Sequence, residues 1–171
     1  QIVTAAKALA AKTGGKVIGL VVGGSPAADD PLDKTGADQI VTLGGTAMQA
    51  VPIAGGPFFV VIYDGAPDEL RRTDDAGLVI PLNGDVFDVT LIPDSPFFIT
   101  HSSGAPSELR RTDDPRQIIA LGGEVSDVFP IPGSPFFVTG YFDGPGELRR
   151  TDNLEKSVSL NGDVVEVYPI P

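Results

Sequence analysis

Cysteine and tryptophan are absent from the 171 residues, and histidine and methionine occur once each. Without cysteine the chain has no disulfide, no thiol nucleophile and no thiolate zinc site. Positive charge is also scarce: 12 lysines and arginines stand against 23 aspartates and glutamates, a formal net charge of −11. Nucleic acids and anionic membranes are therefore not the expected partners, because both require a basic footprint. No apolar run approaches the roughly 18 residues of a membrane span. The N-terminus carries no charged-then-apolar signal pattern, so a soluble chain is expected. Punctuation is plentiful instead: 21 glycines and 16 prolines divide the chain into many short segments.

Most of those segments belong to one unit copied in tandem. The stretch PFFVVIYDGAPDELRRTDD from Pro57 returns as PFFITHSSGAPSELRRTDD from Pro96 and as PFFVTGYFDGPGELRRTDN from Pro135, 39 residues apart each time. A period in this range is the signature of a solenoid, propeller or array. In the second unit four segments rich in Phe, Val, Ile and Thr cover Val86–Ile92, Phe97–His101, Glu108–Thr112 and Gln117–Leu121, separated by Gly, Pro, Asp and Ser turns. Four strands in one unit make a small antiparallel sheet of the size of a propeller blade. The expected class is mainly β, a β-propeller of four-stranded antiparallel blades with a short N-terminal helix. That helix falls in residues 1–15, where alanine-rich Ile2–Lys12 puts Ile2, Ala6, Leu9 and Ala10 on one face before the Gly14-Gly15 stop. Residues 16–171 hold the repeats: a degenerate blade over 16–44, regular blades over 46–83, 85–122 and 124–161, and a closing strand over 163–171 beside Lys16–Gly24. In the degenerate blade Pro31–Gly36 stands for Glu-Leu-Arg-Arg-Thr-Asp and Asp38–Gly44 is the fourth strand.

The order of features, an apolar strand ending in Pro-Ile-Pro-Gly (Pro130–Gly133), a second apolar strand, and then Glu147-Leu148-Arg149-Arg150-Thr151-Asp152, resembles the WD40 family of β-propeller repeats over about residues 43–171. Thr-Asp stands where that family has Trp-Asp, and its Gly-His pair is missing. The resemblance thus implies the blade shape and not the family's buried His–Asp network. Residues 1–43 carry a second resemblance. Ala5–Gly23 reads as helix–turn–strand and Gly36–Thr42 as another strand, similar to a piece of the N-terminal α/β domain of electron-transfer flavoprotein α subunits. In that family the flavin contacts lie mainly in another domain. The degenerate blade and the α/β fragment are alternative readings of this segment.

The most regular charged feature is Glu69–Asp74, repeated as Glu108–Asp113 and Glu147–Asp152. On a strand Glu69, Arg71 and Thr73 share one face, and Leu70, Arg72 and Asp74 the other. Paired arginines suit a recurring anion site. In a chain this acidic, with an acid at both ends of the motif, ion pairing within or between blades is the preferred reading for Arg71, Arg72, Arg110, Arg111, Arg149 and Arg150. A second feature is the polar residue within each otherwise apolar first strand: Gln49, Asp88, Asp127 and Glu166. Around a propeller channel these would hold water or an oxygen-loving cation such as calcium. The alternative pairs each carboxylate with a neighbouring arginine, for instance Asp88 with Arg71 or Arg110.

No catalytic constellation is visible, so no enzyme activity and no cofactor are expected. His101 replaces Ile62 and Gly140 of the sister units and reads as drift in one copy. Asn83-Gly84-Asp85 and Asn161-Gly162-Asp163 have the chemistry of tight hairpin turns. The expected function is a non-catalytic scaffold that binds a protein, peptide or glycan through loops at one end of a ring. A glycan site would be lined by Phe87, Tyr141, Phe142 or Tyr168, positions not kept from unit to unit. Between Pro57–Ser95 and Pro96–Ser134, 22 of 39 positions are identical, including surface positions that folding does not dictate. That suggests the alternative of an engineered or recently amplified structural repeat without a natural ligand. A flavin- or nucleotide-binding fragment over 1–43 is the third reading. Near-identical units also offer equivalent strand edges to one another, so self-association as a homodimer completing a ring is expected.

Overall fold

Each Phe-Phe pair begins a strand, and successive strand side chains point to opposite faces, so one ring of each pair goes to each face of a sheet. The computed structural model describes residues 2–22, 36–75 and 77–168. Helix α1 (Ile2–Thr13) leads to β1 (Ile18–Val22) and β2 (Gln39–Leu43), and three four-stranded sheets follow. The first contains β3 (Ala47–Pro52), β4 (Phe58–Tyr63), β5 (Glu69–Arg72) and β6 (Val79–Pro81). The second contains β7 (Asp85–Leu91), β8 (Phe97–Ser103), β9 (Glu108–Arg111) and β10 (Ile118–Ala120). The third contains β11 (Val125–Pro130), β12 (Phe136–Tyr141), β13 (Glu147–Arg150) and β14 (Asn153–Ser159). Within each sheet the strands lie in chain order and every pairing is antiparallel. The predicted segments of the second unit match these strands to within two residues.

The two faces of each sheet serve different neighbours. Phe58, Val60 and Leu70 of the first sheet form one core with Val86 and Phe98 of the second. Phe97, Ile99 and Leu109 of the second do the same with Val125 and Phe137 of the third. Phe98 and Phe137 have no exposed surface, so the second phenylalanine of each pair seats on the sheet before it. The opposite face of the first sheet, with Phe59, Val61 and Tyr63, packs against Val41 and Leu43 of β2.

Consecutive sheets are also joined by hydrogen bonds. The Asp68 carboxylate accepts the Tyr63 amide at 2.8 Å and the Val86 amide at 2.6 Å. Ser107 Oγ does the same for Ser102 and Val125, at 3.3 and 3.0 Å. The Asn83-Gly84 step is therefore not a hairpin: it carries the chain from β6 of one sheet to β7 of the next. Gly84 has φ +67°, and a Cβ there would lie 2.7 Å from the Ser103 carbonyl oxygen. Only glycine meets both conditions.

The N-terminal segment departs from the repeat. β1 and β2 pair in parallel, Ile18 opposite Gln39 through Val22 opposite Leu43, whereas a blade expected over 16–44 needs antiparallel neighbours. An α/β fragment has this parallel pairing. The part of that unit expected at Pro31–Thr35 lies outside the described residues. Helix α1 ends as anticipated, with Gly14 at φ +70° and the Gly15 amide donating to the Ala10 carbonyl at 3.0 Å. The helix is largely exposed, Leu9 included. At the other end, residues 163–168 form no strand, and 169–171 lie outside the described residues. Val164 instead lies over Gly140 and Gly146. Gly146 occupies the joint position of Asp68 and Ser107 and offers no side-chain acceptor. Among the described residues no helix is long and apolar enough to cross a membrane.

Candidate functional site

Alternation along a strand dictates where the arginines of the repeated motif go. Residues two apart lie on one face, and the acids two positions away become their partners. Arg71 pairs with Glu69 at 3.2 Å, Arg110 with Glu108 at 2.5 Å and Arg149 with Glu147 at 2.6 Å. These pairs lie on the face turned to the preceding sheet. The central one is fully enclosed, with side-chain exposures of 0% and 1%. Arg110 also donates to the Pro115 carbonyl at 2.6 Å, and Arg149 to that of Leu154 at 3.2 Å.

The other arginines face the following sheet and are more exposed. Arg72 grips Asp74 through Nε and Nη2 at 2.7 and 2.6 Å, and Arg111–Asp113 and Arg150–Asp152 repeat the two-pronged geometry. Each guanidinium also stacks on the first phenylalanine of its unit, 5.2 Å from the Phe58 ring centre, 5.4 Å from Phe97 and 5.0 Å from Phe136. Both arginines of every motif are thus engaged within their own unit, as the ion-pair reading expected. Asp88 is not their partner.

The buried glutamates show how one copy compensates another. Tyr63 and Tyr141 donate their hydroxyls to Glu69 and Glu147 at 3.0 and 2.6 Å. Their rings lie over glycines of the preceding linker, Gly45 and Gly122–Gly123. In the second unit the tyrosine is replaced by Ser102, and Glu108 receives its bond from Asn83, which stands where the neighbours have Gly44 and Gly122. Burial and then Glu69 push the Tyr63 hydroxyl up to about 12, and burial and then Glu147 raise Tyr141.

The exposed pairs bear on acid sensitivity. The hydrogen bond from Arg111 holds the Asp113 carboxyl down at about 2, and the bonds from Arg72 and Arg150 lower Asp74 and Asp152. Burial raises Glu147, but bonds from Tyr141 and Arg149 outweigh it and the net direction is down. An acid lowered in the fold binds fewer protons there than in the unfolded chain, so its contribution is present above the ordinary carboxylate range and is lost as pH falls. Urea midpoints are therefore expected to hold steady above about pH 5 and to fall progressively towards about pH 2. In an Asp74→Asn, Asp113→Asn, Asp152→Asn triple variant that slope should flatten. An unchanged slope would mean that these pairs do not govern it.

The first strands β3, β7 and β11 are sheet edges, and each carries a bulge at the same place. The register shifts between Ala47 and Gln49, Val86 and Asp88, and Val125 and Asp127. A bulge adds a residue and turns it outward: Met48 and Phe87 are exposed there, with Ser126 the half-buried counterpart. Gln49, Asp88 and Asp127 follow the bulges and are exposed, as is Glu166. Among the described residues no three acidic or imidazole side chains gather closely enough to hold a metal ion. An aromatic contact does form: Phe87 lies 6.3 Å from exposed Phe142 of the third sheet and 5.9 Å from His101, centre to centre. Tyr141, expected beside them, is buried.

His101 is not drift. It is buried, with Nδ1 3.1 Å from the Val125 carbonyl and Nε2 2.9 Å from Thr90 Oγ1. A carbonyl only accepts, so Nδ1 carries a hydrogen, and Nε2 shares a hydrogen bond with the Thr90 hydroxyl. The side chain ties the second sheet to the third and supports the ring of Phe87. Its occurrence in one copy gave no periodic signal, and neither did the joint residues Asp68 and Ser107, which differ in type. No protein-family model matches the chain, and no curated protein shows significant similarity to it.

Proposed function

We propose that the chain is a non-catalytic binding module whose sheets are blades of the propeller type, and that a protein, peptide or glycan docks on the bulged first-strand edges. The observation that carries this reading is the exposed pair of Phe87, on the bulged edge of β7, and Phe142, in the bend after β12, with exposed Asp88 next along the chain from Phe87. Apolar rings next to a carboxylate suit a ligand with an apolar group near a positive charge. The repeated arginines are engaged internally, which leaves this edge as the distinctive surface. Association of two chains belongs to the same reading.

Peptide and glycan arrays probed with the labelled chain test it. A ligand class should be captured, and Phe87→Ala with Phe142→Ala should weaken that capture about tenfold or more. Capture that ignores both substitutions would contradict the assigned edge. Silence on both arrays would favour a structural repeat without a natural ligand, engineered or recently amplified. The near-identity of the units supports that second reading. The parallel β1–β2 pair supports the third, a flavin- or nucleotide-binding fragment over residues 1–43, for which a yellow chromophore retained after adding flavin is the check.

A further inference from the structure

We propose that the uncovered face of the third sheet is where a second copy of this chain docks, face to face about a two-fold axis. The inference rests on the reading that two chains associate, and adds the surface they use. In the first two sheets the face turned to the following unit is buried at the phenylalanine that opens the second strand, at the leucine of the Glu-Leu-Arg-Arg segment, and at the apolar residues flanking them. In the third sheet the same positions, Ile131, Phe136, Leu148 and Leu160, are only half-buried. Val158, opposite Leu148 in the register, is 62% exposed. Its counterparts Ile80 and Ile119, opposite Leu70 and Leu109, pack into the cores between sheets.

In the two interior contacts this face is covered by the opposite apolar face of another sheet of this repeat, so a sheet of a second copy has the chemistry to cover it. The first sheet's outward face is already covered by β2. Head-to-tail joining of two chains into one shared ring would have to displace that cover. Among the described sheets, a second copy therefore presents one uncovered face of this kind, and it is the same one. A surface that meets itself gives a two-fold contact closing at two chains. Charge does not oppose it locally: Arg150 and Asp152 on that face neutralise each other as a pair. The net charge of −11 repels the copies at longer range, so added salt should strengthen the dimer.

Sedimentation equilibrium of the full chain across a concentration series, at low and high salt, tests the proposal. The wild type should form dimers, more tightly at high salt. Val158→Lys should weaken dimerisation about tenfold or more. Val165→Lys, a change at a more exposed position outside the sheet, should leave it unaltered. Circular dichroism melts should show both variants folded, since neither side chain is buried. A dimer untouched by Val158→Lys would overturn the assigned face while leaving self-association intact. A wild type that stays monomeric at its highest soluble concentration would overturn both. A ladder of larger species would overturn the two-fold closure.

Discussion

Arg110→Met should lower the free energy of unfolding by about 3–5 kcal/mol, read from urea denaturation near neutral pH. Its guanidinium and the Glu108 carboxylate are enclosed between the first two sheets. Removing the cation strands a buried negative charge whose remaining side-chain donor is Asn83. The loss belongs to the orphaned charge and not to the pair as such. A Glu108→Gln, Arg110→Met double variant should therefore recover most of it, leaving a deficit of about 1 kcal/mol. Arg111→Met, next along the strand, removes a pair that water already screens and should cost far less. Equal losses for Arg110→Met and Arg111→Met would mean that the two faces of β9 are not differently buried.

Phe98→Ala is the second large effect expected, a loss of about 3–5 kcal/mol, with Phe137→Ala comparable. Both rings are fully enclosed on the preceding sheet. Each substitution removes apolar area and leaves a void that strand backbones tied by hydrogen bonds cannot collapse to fill. Phe136→Ala provides the contrast. Its ring lies on the uncovered face of the third sheet, half-buried under Arg150, so in the monomer it should cost well under half as much. Chemical denaturation of the three variants at one protein concentration measures the difference. A Phe136→Ala loss as large as that of Phe98→Ala would require that face to be covered.

What was legible in the chain was whatever recurs and is decided locally. The Phe-Phe openings, the Gly and Pro separators and the period placed the strands of the regular units. The acid at each end of the repeated motif pointed to ion pairing, but not to the partners: Arg71 meets Glu69 and Arg72 meets Asp74, two residues away on the same face, and not Asp88. What was not legible depends on partners far away in sequence. Lys16–Gly24 has a strand's composition, but composition does not say whether the neighbour runs parallel or antiparallel; packing against Phe59 and Val61 accompanies the parallel outcome. The Asn83-Gly84 step has hairpin chemistry, yet Gly84 is required because the Ser103 carbonyl approaches it. Residues 163–168 have a first strand's composition, but each first strand in the regular units is held by a ladder to the second strand of its own sheet, which composition alone does not supply. His101 and the exchange of Tyr for Ser102 with Asn83 occur in one copy only, and their meaning emerges when two sheets are brought into contact.

One measurement bears most directly on the stacking of successive units: nuclear Overhauser contacts from the Phe98 and Phe137 rings to assigned methyl groups in the full chain. Phe98 should reach Val60 and Leu70 of the sheet before it, and Phe137 should reach Ile99 and Leu109. Rings that touch only methyl groups of their own unit, or of the unit after it, would contradict the arrangement.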